Sequence, residues 1–345
     1  RRITNTGTLK DLNPQLLQQA SHLYEAETEL TYFAGGHEWS DGVIFQFNKA
    51  GKAYLLKYLK PESPLQKEIV TERMAFVEYL RDCGLKLLSP VRSRDNHLVE
   101  EVGNDDKYCI YCWQKCLAEL PKLKDPKLET EFYYNWGAWL GRAHTLSKAY
   151  PNWLESITHD KTGKAAISQK AEWKFFLQWN QNPEMQKAWR AIQDKLELLE
   201  KRRDNYGFIH NDPHPGNMLM EDDTIVMIDW DVANFHWFMM DIAIAVYSEY
   251  SRINYHSSYR FRNNEMPNLF LRPFLMGYCS QNSLSESDWQ QLELFLQYRR
   301  YMMCTVFEEQ IRTSNSAYLE KFQAQIIRFE PYLPEGLDIL KLLHE

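Results

Sequence analysis

A short polar stretch at residues 208–220, FIHNDPHPGNMLM, constrains this chain more than any other segment. Two histidines, an aspartate, two asparagines, two prolines and a glycine stand there between apolar flanks. Proline and glycine interrupt regular structure and favour turns, so the stretch predicts a loop between two buried elements. Loops held on a packed scaffold are common positions for binding and catalytic groups. The segment is therefore the first candidate for a functional site.

Hydrophobic spacing divides the rest of the chain into two parts. A short helix is predicted at 10–26, and the first third then predicts strands and one further helix. The strands lie at 43–47, 53–59, 97–102 and 107–113, and the helix at 63–82. After residue 120 helical spacing dominates, with helices predicted at 128–148, 168–179, 184–203, 237–252, 267–278, 285–311 and 315–328. The polar loop and a short strand in TIVMIDW interrupt these helices.

This order of elements predicts an α+β fold. We expect a small N-terminal lobe of sheet plus helix over residues 1–114. A larger, mainly helical C-terminal lobe is expected over residues 115–345.

Composition narrows the functional class. The chain has 345 residues, of which 44% are hydrophobic, and a net charge of −7. This balance argues against a nucleic-acid surface, which needs clustered lysine and arginine. The start of the chain lacks the apolar core of a secretory signal. The longest apolar run, at 237–247, is shorter than the roughly 20 residues of a membrane helix. We expect a cytoplasmic protein with neither a membrane nor a nucleic-acid partner.

Three of the six cysteines lie close together in YCIYCWQKC, at Cys109, Cys112 and Cys116. Grouped cysteines are one pattern of a metal site. Cys109 and Cys112 are an odd number of positions apart, so they would point to opposite faces of the strand predicted there. The pattern therefore favours small buried thiols in a reducing compartment.

The polar loop combines carboxylates with a carboxamide. Asp212 precedes Asn217 by five positions, and Asp229 follows at the end of an apolar strand. Hard oxygen ligands such as these hold magnesium, which binds few protein groups together with phosphate oxygens and water. A second carboxylate that does not bind the metal can accept a proton from an attacking hydroxyl.

The spacing H-x-D-x-x-x-x-N, followed by a strand that ends in Asp, resembles the catalytic loop of the protein-kinase-like superfamily. The form HNDPHPGN…IDWD…DIA looks closer to its small-molecule branch, the aminoglycoside phosphotransferase and choline kinase family. The resemblance implies a bilobal protein-kinase-like fold, with an antiparallel sheet in the small lobe. It also implies an enzyme that uses ATP and Mg²⁺ to phosphorylate a hydroxyl group of a small molecule, such as an amino alcohol, a sugar or an aminoglycoside-like compound.

The same resemblance assigns roles to residues of the loop and beyond. Asp212 would be the catalytic base or would orient the substrate hydroxyl. Asn217 and Asp229 would bind magnesium on the nucleotide phosphates, and His210 would brace the loop backbone. Asp241 stands in an apolar helix, where a carboxylate without a partner costs several kcal/mol. It is expected to accept hydrogen bonds from the loop.

Other interpretations of the loop stay open. His210 and His214 can be ordinary structural histidines. The pattern H-x-D-x-H also occurs in metal clusters of hydrolases, although no further His or Cys stands nearby at ligand spacing.

On the nucleotide side, Lys57 lies inside an apolar strand, where its ammonium needs a partner. The resemblance makes it the cation for the phosphates, paired with Glu72 or, one turn earlier, Glu68. A surface lysine whose stem covers apolar area is the alternative. Gly35 and Gly36 would let the backbone approach the phosphates, although a plain glycine turn explains them equally well.

The resemblance places the adenine beside the backbone of Gln114 to Cys116. Trp230 and Asp231 stand where protein kinases have Phe and Gly, and no long peptide-docking segment follows.

Without a long peptide-docking segment, an enzyme that phosphorylates a small molecule is favoured over a protein Ser/Thr kinase. A kinase-like module that binds a nucleotide or metabolite without turnover is the other alternative. Aromatic rings with Asp231 or Glu249 could hold an ammonium group of the substrate, but core packing is the favoured use of those rings. The oligomeric state stays open.

Overall fold

A computed structural model describes residues 12–36, 42–59, 66–104, 107–121, 126–151, 180–255 and 266–344. The chain divides into two compact units. The smaller unit comprises Arg2–Glu119 together with Val226–Asp231, and the larger comprises Leu120–Ile225 and Val232–Glu345. The sequence predicts the boundary after residue 114, and the contacts within the structure place it after Glu119.

The described residues of the smaller unit form a six-stranded antiparallel sheet. Its strands are β1 (Thr31–Gly35), β2 (Gly42–Lys49), β3 (Lys52–Leu59), β4 (Pro90–Val91), β5 (Glu100–Val102) and β6 (Tyr108–Gln114). They pair in the order β1, β2, β3 and β6, and both β4 and β5 pair with β6. Ala50 and Gly51 both have positive φ, which is the backbone of a tight two-residue hairpin between β2 and β3.

The two faces of this sheet differ in what they contact. Helix α1 (Pro14–Tyr24) begins at the N-cap Asn13 and packs on the face that carries Phe45, Leu56 and Cys112. Because side chains alternate along a strand, the neighbouring positions Lys57 and Tyr111 point to the opposite face. The register of the sheet therefore sets these two polar groups side by side.

Helix α2 (Gln66–Asp82) buries its apolar side within the same unit. Gly84, with φ +84°, follows the helix, and the Leu85 N–H closes it onto the Leu80 carbonyl. The segment Val226–Asp231 contacts the strands and helix α2 of this unit at several points. The Leu88 N–H donates to the Met227 carbonyl at 3.0 Å, and the Trp230 ring meets Phe76 edge to face.

The larger unit is mainly helical. The helices among its described residues are α3 (Pro126–Ala149), α4 (Pro183–Glu197), α5 (Phe238–Tyr255), α6 (Arg272–Gln281), α7 (Glu286–Trp289), α8 (Leu292–Val306), α9 (Glu308–Ser314), α10 (Ser316–Ile327) and α11 (Ile339–His344). A π-helical turn at Pro267–Leu271 leads into α6. Two described two-stranded sheets accompany these helices: β7 (Tyr206–Ile209) pairs with β10 (Asn234–Trp237), and β8 (Met218–Glu221) pairs with β9 (Thr224–Met227), of which Val226 and Met227 belong to the smaller unit.

Helices α3 and α6 pack with their backbones in close approach. A Cβ added at Gly137 would lie 1.9 Å from the Phe274 carbonyl oxygen, and one at Gly277 would lie 2.0 Å from the Tyr134 carbonyl oxygen. Only glycine fits at such positions. The close approach brings His144 of α3 within reach of Tyr278 of α6.

Most of the predicted elements that fall on described residues agree with the structure in type. The single helix predicted at 285–311 is wrong, because the chain breaks around Gln290 and Phe307 into α7, α8 and α9. Strands β1, β4, β7, β8 and β10 and helix α11 are absent from the sequence prediction, since each is short and lacks clear periodicity. The helix predicted at 168–179 lies outside the described residues. Among the residues described, no helix combines the length and apolar character needed to cross a bilayer.

Candidate active site

The polar loop of the larger unit begins where strand β7 ends. Its first two backbone N–H groups, of His210 and Asn211, donate to the Asp241 carboxylate at 3.1 and 2.7 Å. Asn211 has a φ of +68°, a conformation that costs about 1 kcal/mol or more outside glycine and persists where neighbouring contacts hold it. The prediction that Asp241 accepts hydrogen bonds from the loop is therefore confirmed.

Asp241 is itself held by a buried chain of hydrogen bonds. Asn282 Nδ2 donates to the Tyr278 hydroxyl at 2.8 Å, and that hydroxyl lies 2.8 Å from His144 Nδ1. His144 Nε2 lies 3.2 Å from Asp241 Oδ2. Burial lowers the pKa of His144, so the imidazole is neutral and its Nε2–H donates to the carboxylate. Every donor in the chain points toward Asp241.

The His210 ring contacts the loop backbone. Its side chain is buried, and Nδ1 accepts the Asp212 N–H at 3.2 Å. The neighbouring His214 caps the next turn, because its Nδ1 accepts the Gly216 N–H at 3.0 Å. Both rings therefore shape the loop through backbone contacts.

Asp212 lies among three donors. Asn217 Nδ2 donates to the Asp212 carbonyl at 3.0 Å and to its Oδ2 at 3.3 Å, and His214 Nε2 lies 3.3 Å from the same Oδ2. Arg299 of α8 donates from Nη2 to Oδ1 at 2.7 Å. The sequence predicts that Asp212 and Asn217 belong to one site, but it does not predict Arg299. The local feature that could have pointed to Arg299 is a charged residue within the largely apolar helix α8.

The charge state of Asp212 follows from these neighbours. Burial would raise the pKa of the carboxyl group, but the Arg299 guanidinium and the hydrogen bond with His214 outweigh burial and hold the pKa well below its usual range. The carboxylate is therefore ionised at neutral pH. A carboxylate with so low a pKa is a weak base. It is therefore better suited to orient the acceptor hydroxyl than to remove the hydroxyl proton completely before phosphoryl transfer.

A second group of charges lies within the smaller unit. The Lys57 ammonium forms an ion pair with Asp231 and lies 3.6 Å from Asp229 Oδ1. The Tyr111 hydroxyl donates to the Asp231 carboxylate. The Lys57 side chain is only 12% exposed, so the alternative of a surface lysine is wrong.

The pKa values in this group favour full charges. Burial would lower the pKa of Lys57, but the charge of Asp231 outweighs burial and raises it well above the usual range. Burial would raise the pKa of Asp231, but the Lys57 ammonium lowers it.

The two carboxylates considered for a substrate ammonium already have partners within the protein. Asp231 pairs with the Lys57 ammonium, and Glu249 is fully buried and accepts a hydrogen bond from the Tyr133 hydroxyl at 2.7 Å. Neither carboxylate is exposed for a substrate ammonium.

The remaining predicted residues of the smaller unit have different surroundings. Asp229 adopts φ +62° and its side chain is 48% exposed. Glu72 is half-buried and Glu68 exposed, one turn apart on α2. Gln114 is the last residue of β6, and the Cys116 thiol beyond it accepts the Ala118 N–H at 3.3 Å.

The two predicted loop glycines stand at the end of β1. Gly35 and Gly36 have φ of +80° and +70°, and the Gly36 N–H donates to the Gly42 carbonyl at 2.9 Å. A Cβ at Gly35 would lie 2.5 Å from that carbonyl oxygen, so glycine is required there. The rest of the predicted phosphate loop, residues 37–41, lies outside the described part of the chain.

Among the described residues, no three His, Cys, Asp or Glu side chains converge as a metal cluster would require. Cys109 and Cys112 are buried thiols without disulfides. The hydrolase interpretation of H-x-D-x-H therefore gains no support from the described residues.

Known proteins similar to this chain are kinases. A model of the Phosphotransferase enzyme family matches residues 37–295. Amicoumacin kinase of Bacillus subtilis (strain 168) is 22% identical over 295 residues, which cover 84% of this chain and 83% of that protein.

Solved structures show the same fold. The amicoumacin kinase hAmiN, in complex with AMP-PNP, Ca²⁺ and Ami, matches with a TM-score of 0.79 and 21% identity, over 96% of this chain and 98% of that chain. The microcompartment-associated aminopropanol kinase matches with a TM-score of 0.64 and 18% identity, over 92% and 97%. The predicted α+β protein-kinase-like fold is confirmed.

Proposed function

The chain belongs to the phosphotransferase enzyme family and is a kinase, and from that premise we propose that it transfers the γ-phosphoryl group of ATP to a hydroxyl group of a small molecule. The acceptor class we propose is an amino alcohol, a sugar or an aminoglycoside-like compound. Among similar proteins, one kinase is named for aminopropanol and another is seen with AMP-PNP, Ca²⁺ and Ami. These names support the proposed class of acceptor.

One observation carries the proposal. An ionised aspartate, Asp212, stands on a loop whose backbone is held by Asp241 and His210. Such a carboxylate can accept a hydrogen bond from an acceptor hydroxyl and fix its direction of attack. Orientation and electrostatics supply most of the rate in phosphoryl transfer, so a rigid orienting group is the central requirement.

The chemistry of two side chains, each taken by itself, suits a magnesium ion on the nucleotide phosphates. The side-chain amide nitrogen of Asn217 donates to Asp212, so the side-chain carbonyl oxygen of Asn217 points away from Asp212. Such an oxygen is a hard ligand of the kind that magnesium prefers. Asp229 contributes an exposed carboxylate. We assign Asn217 and Asp229 to the metal, which when bound would neutralise charge on the phosphates.

The nucleotide itself would be held by groups of the smaller unit. Lys57 would donate to its phosphates, with the backbone at Gly35 and Gly36 nearby. The backbone of Gln114 to Cys116 would pair with the edge of the adenine. Glu72 stays a proposed supporting acid for this site.

A screen for acceptors tests the proposal directly. ADP release would be measured with Mg-ATP and a panel of amino alcohols, sugars and aminoglycosides, with Asp212→Asn assayed in parallel to reveal contaminating ATPase. An acceptor-dependent ADP release that Asp212→Asn lacks is the expected result. ADP release that requires a protein acceptor would favour a protein kinase. Nucleotide binding without turnover of any acceptor would favour a non-catalytic module.

A further inference from the structure

Two carboxylates separated by one residue, Asp229 and Asp231, lie close to the Lys57 ammonium. We propose that Asp231, supported by Tyr111, is the positioning residue that holds Lys57 for the nucleotide phosphates, while Asp229 is left to the metal. This inference rests on the proposed role of Lys57 in nucleotide binding. The resemblance implies that Glu72 or Glu68 of α2 pairs with Lys57. The inference gives the leading part in holding Lys57 to Asp231, in the segment after β9.

Burial separates the roles of the two carboxylates. The Asp231 side chain is 9% exposed and receives both the Lys57 ammonium and the Tyr111 hydroxyl. The Asp229 side chain is 48% exposed and lies 3.6 Å from the ammonium, beyond ordinary hydrogen-bond distance. A buried carboxylate suits a permanent ion pair, whereas an exposed one can exchange water for a metal ion.

The sheet register makes this arrangement possible. Lys57 of β3 is paired directly with Tyr111 of β6, so both side chains leave the sheet on the same face. Tyr111 therefore donates to one oxygen of the Asp231 carboxylate, Oδ1, while Lys57 contacts the other, Oδ2.

Lys57 can serve Asp231 and a phosphate at the same time. An ammonium carries three N–H donors, and one of them suffices for Asp231. A lysine stem has several rotatable bonds, so a fixed anion at its tip selects one direction among many. Holding the ammonium in place reduces the entropy lost when the phosphates bind.

Binding of ADP to the intact chain, measured by isothermal titration calorimetry, tests the proposal without turnover. Lys57→Met should weaken ADP binding roughly tenfold, the loss of one charge-assisted hydrogen bond. Asp231→Asn should weaken it in the same direction, and Asp231→Glu should restore most of the affinity. The double variant should bind like Lys57→Met alone, because Asp231 acts through Lys57.

Magnesium dependence provides a second readout. In Asp231→Asn, the nearest remaining carboxylate for Lys57 is Asp229, and the ammonium then competes with the metal. ADP binding should require more Mg²⁺ for half-saturation than in the wild type. A purely structural ion pair would change the melting temperature without moving this magnesium requirement.

Two further variants guard against simple misfolding. Tyr111→Phe removes one hydrogen bond and no charge, and should weaken ADP binding about threefold. Asp95→Asn is the matched control, because this carboxylate of the same unit is 55% exposed and pairs with Arg94. It should leave both ADP affinity and magnesium requirement unchanged.

The outcomes separate the inference from the function on which it rests. Wild-type ADP affinity in Lys57→Met would contradict the phosphate role of Lys57 itself. If Lys57→Met loses affinity while Asp231→Asn binds ADP equally well or more tightly, Asp231 does not position the lysine. Additive losses in the double variant would also overturn the proposal.

Discussion

Arg299 Nη2 lies 2.7 Å from Asp212 Oδ1, so the proposed catalytic carboxylate forms an ion pair with a helix 87 residues further along the chain. The guanidinium keeps Asp212 ionised and fixes one of its two oxygens. The other oxygen faces Asn217 and His214. The orientation of the carboxylate is therefore set by three side chains, and each can be tested.

The first prediction concerns Asp212. Asp212→Asn keeps the shape of the side chain but removes the charge that orients the hydroxyl. We expect turnover to fall by roughly 10²- to 10⁴-fold, the usual contribution of a positioned acid–base group. ADP affinity should stay near that of the wild type. Steady-state kinetics and calorimetry measure the two quantities, and wild-type turnover would contradict the role assigned to Asp212.

The second prediction concerns pH. In the folded protein the pKa of Asp212 is lowered, so the ionised carboxylate stabilises the fold above the ordinary carboxyl pKa, and this contribution is lost as pH falls through the lowered value. Arg299→Gln removes the leading lowering cause and raises the pKa of Asp212. We expect the acidic limb of the kcat profile to move to higher pH.

Arg328→Gln serves as the control for Arg299, because this arginine of the same unit is 71% exposed and pairs with Glu330 at 3.5 Å. Its pH profile should match that of the wild type. At neutral pH, Arg299→Gln should lower kcat by about tenfold through lost orientation alone. An unchanged acidic limb would show that Arg299 does not govern the ionisation of Asp212.

The third prediction concerns the support of the loop. Asp241→Asn replaces an acceptor of two backbone N–H groups with a side chain that carries its own N–H donors. We expect a loss of about 3 kcal/mol in the free energy of unfolding, together with a fall in kcat. Denaturant titration measures the first and initial rates the second. Tyr278→Phe, which removes one hydroxyl further along the same network, should cost about 1 kcal/mol.

The fourth prediction separates the metal from the nucleotide. Asp229→Ala removes the exposed carboxylate assigned to magnesium. ADP binding in the presence of Mg²⁺ should weaken by at least about tenfold, whereas ADP binding in EDTA should be unchanged. Calorimetry under both conditions provides the comparison. Equal losses with and without the metal would point to a general structural effect of the substitution.

Local patterns in the sequence account for much of the fold and for part of the site. Helical spacing, strand alternation and turn residues predict most elements because they depend on neighbours a few positions apart. The pattern around Asp212, Asn217 and Asp229 resembles that of the phosphotransferase family, which implies a kinase, and the apolar strand around Lys57 predicts an ammonium that needs a partner. The fold class and the family were confirmed, and the residue roles stay predictions.

The partners of the charged residues were decided by the tertiary structure. Lys57 meets Asp231 across 174 positions, Asp212 meets Arg299 across 87, and His144 meets Asp241 across 97. The chain has 47 acidic and 40 basic residues, so charge alone cannot select these pairs. The pairs are selected by strand register and helix packing, which bring side chains that are distant in sequence next to each other. Where such a place is shielded from water, a charged group needs a partner of opposite charge. The sequence therefore determined the family and which residues are candidates for the chemistry, and packing determined which side chains contact them.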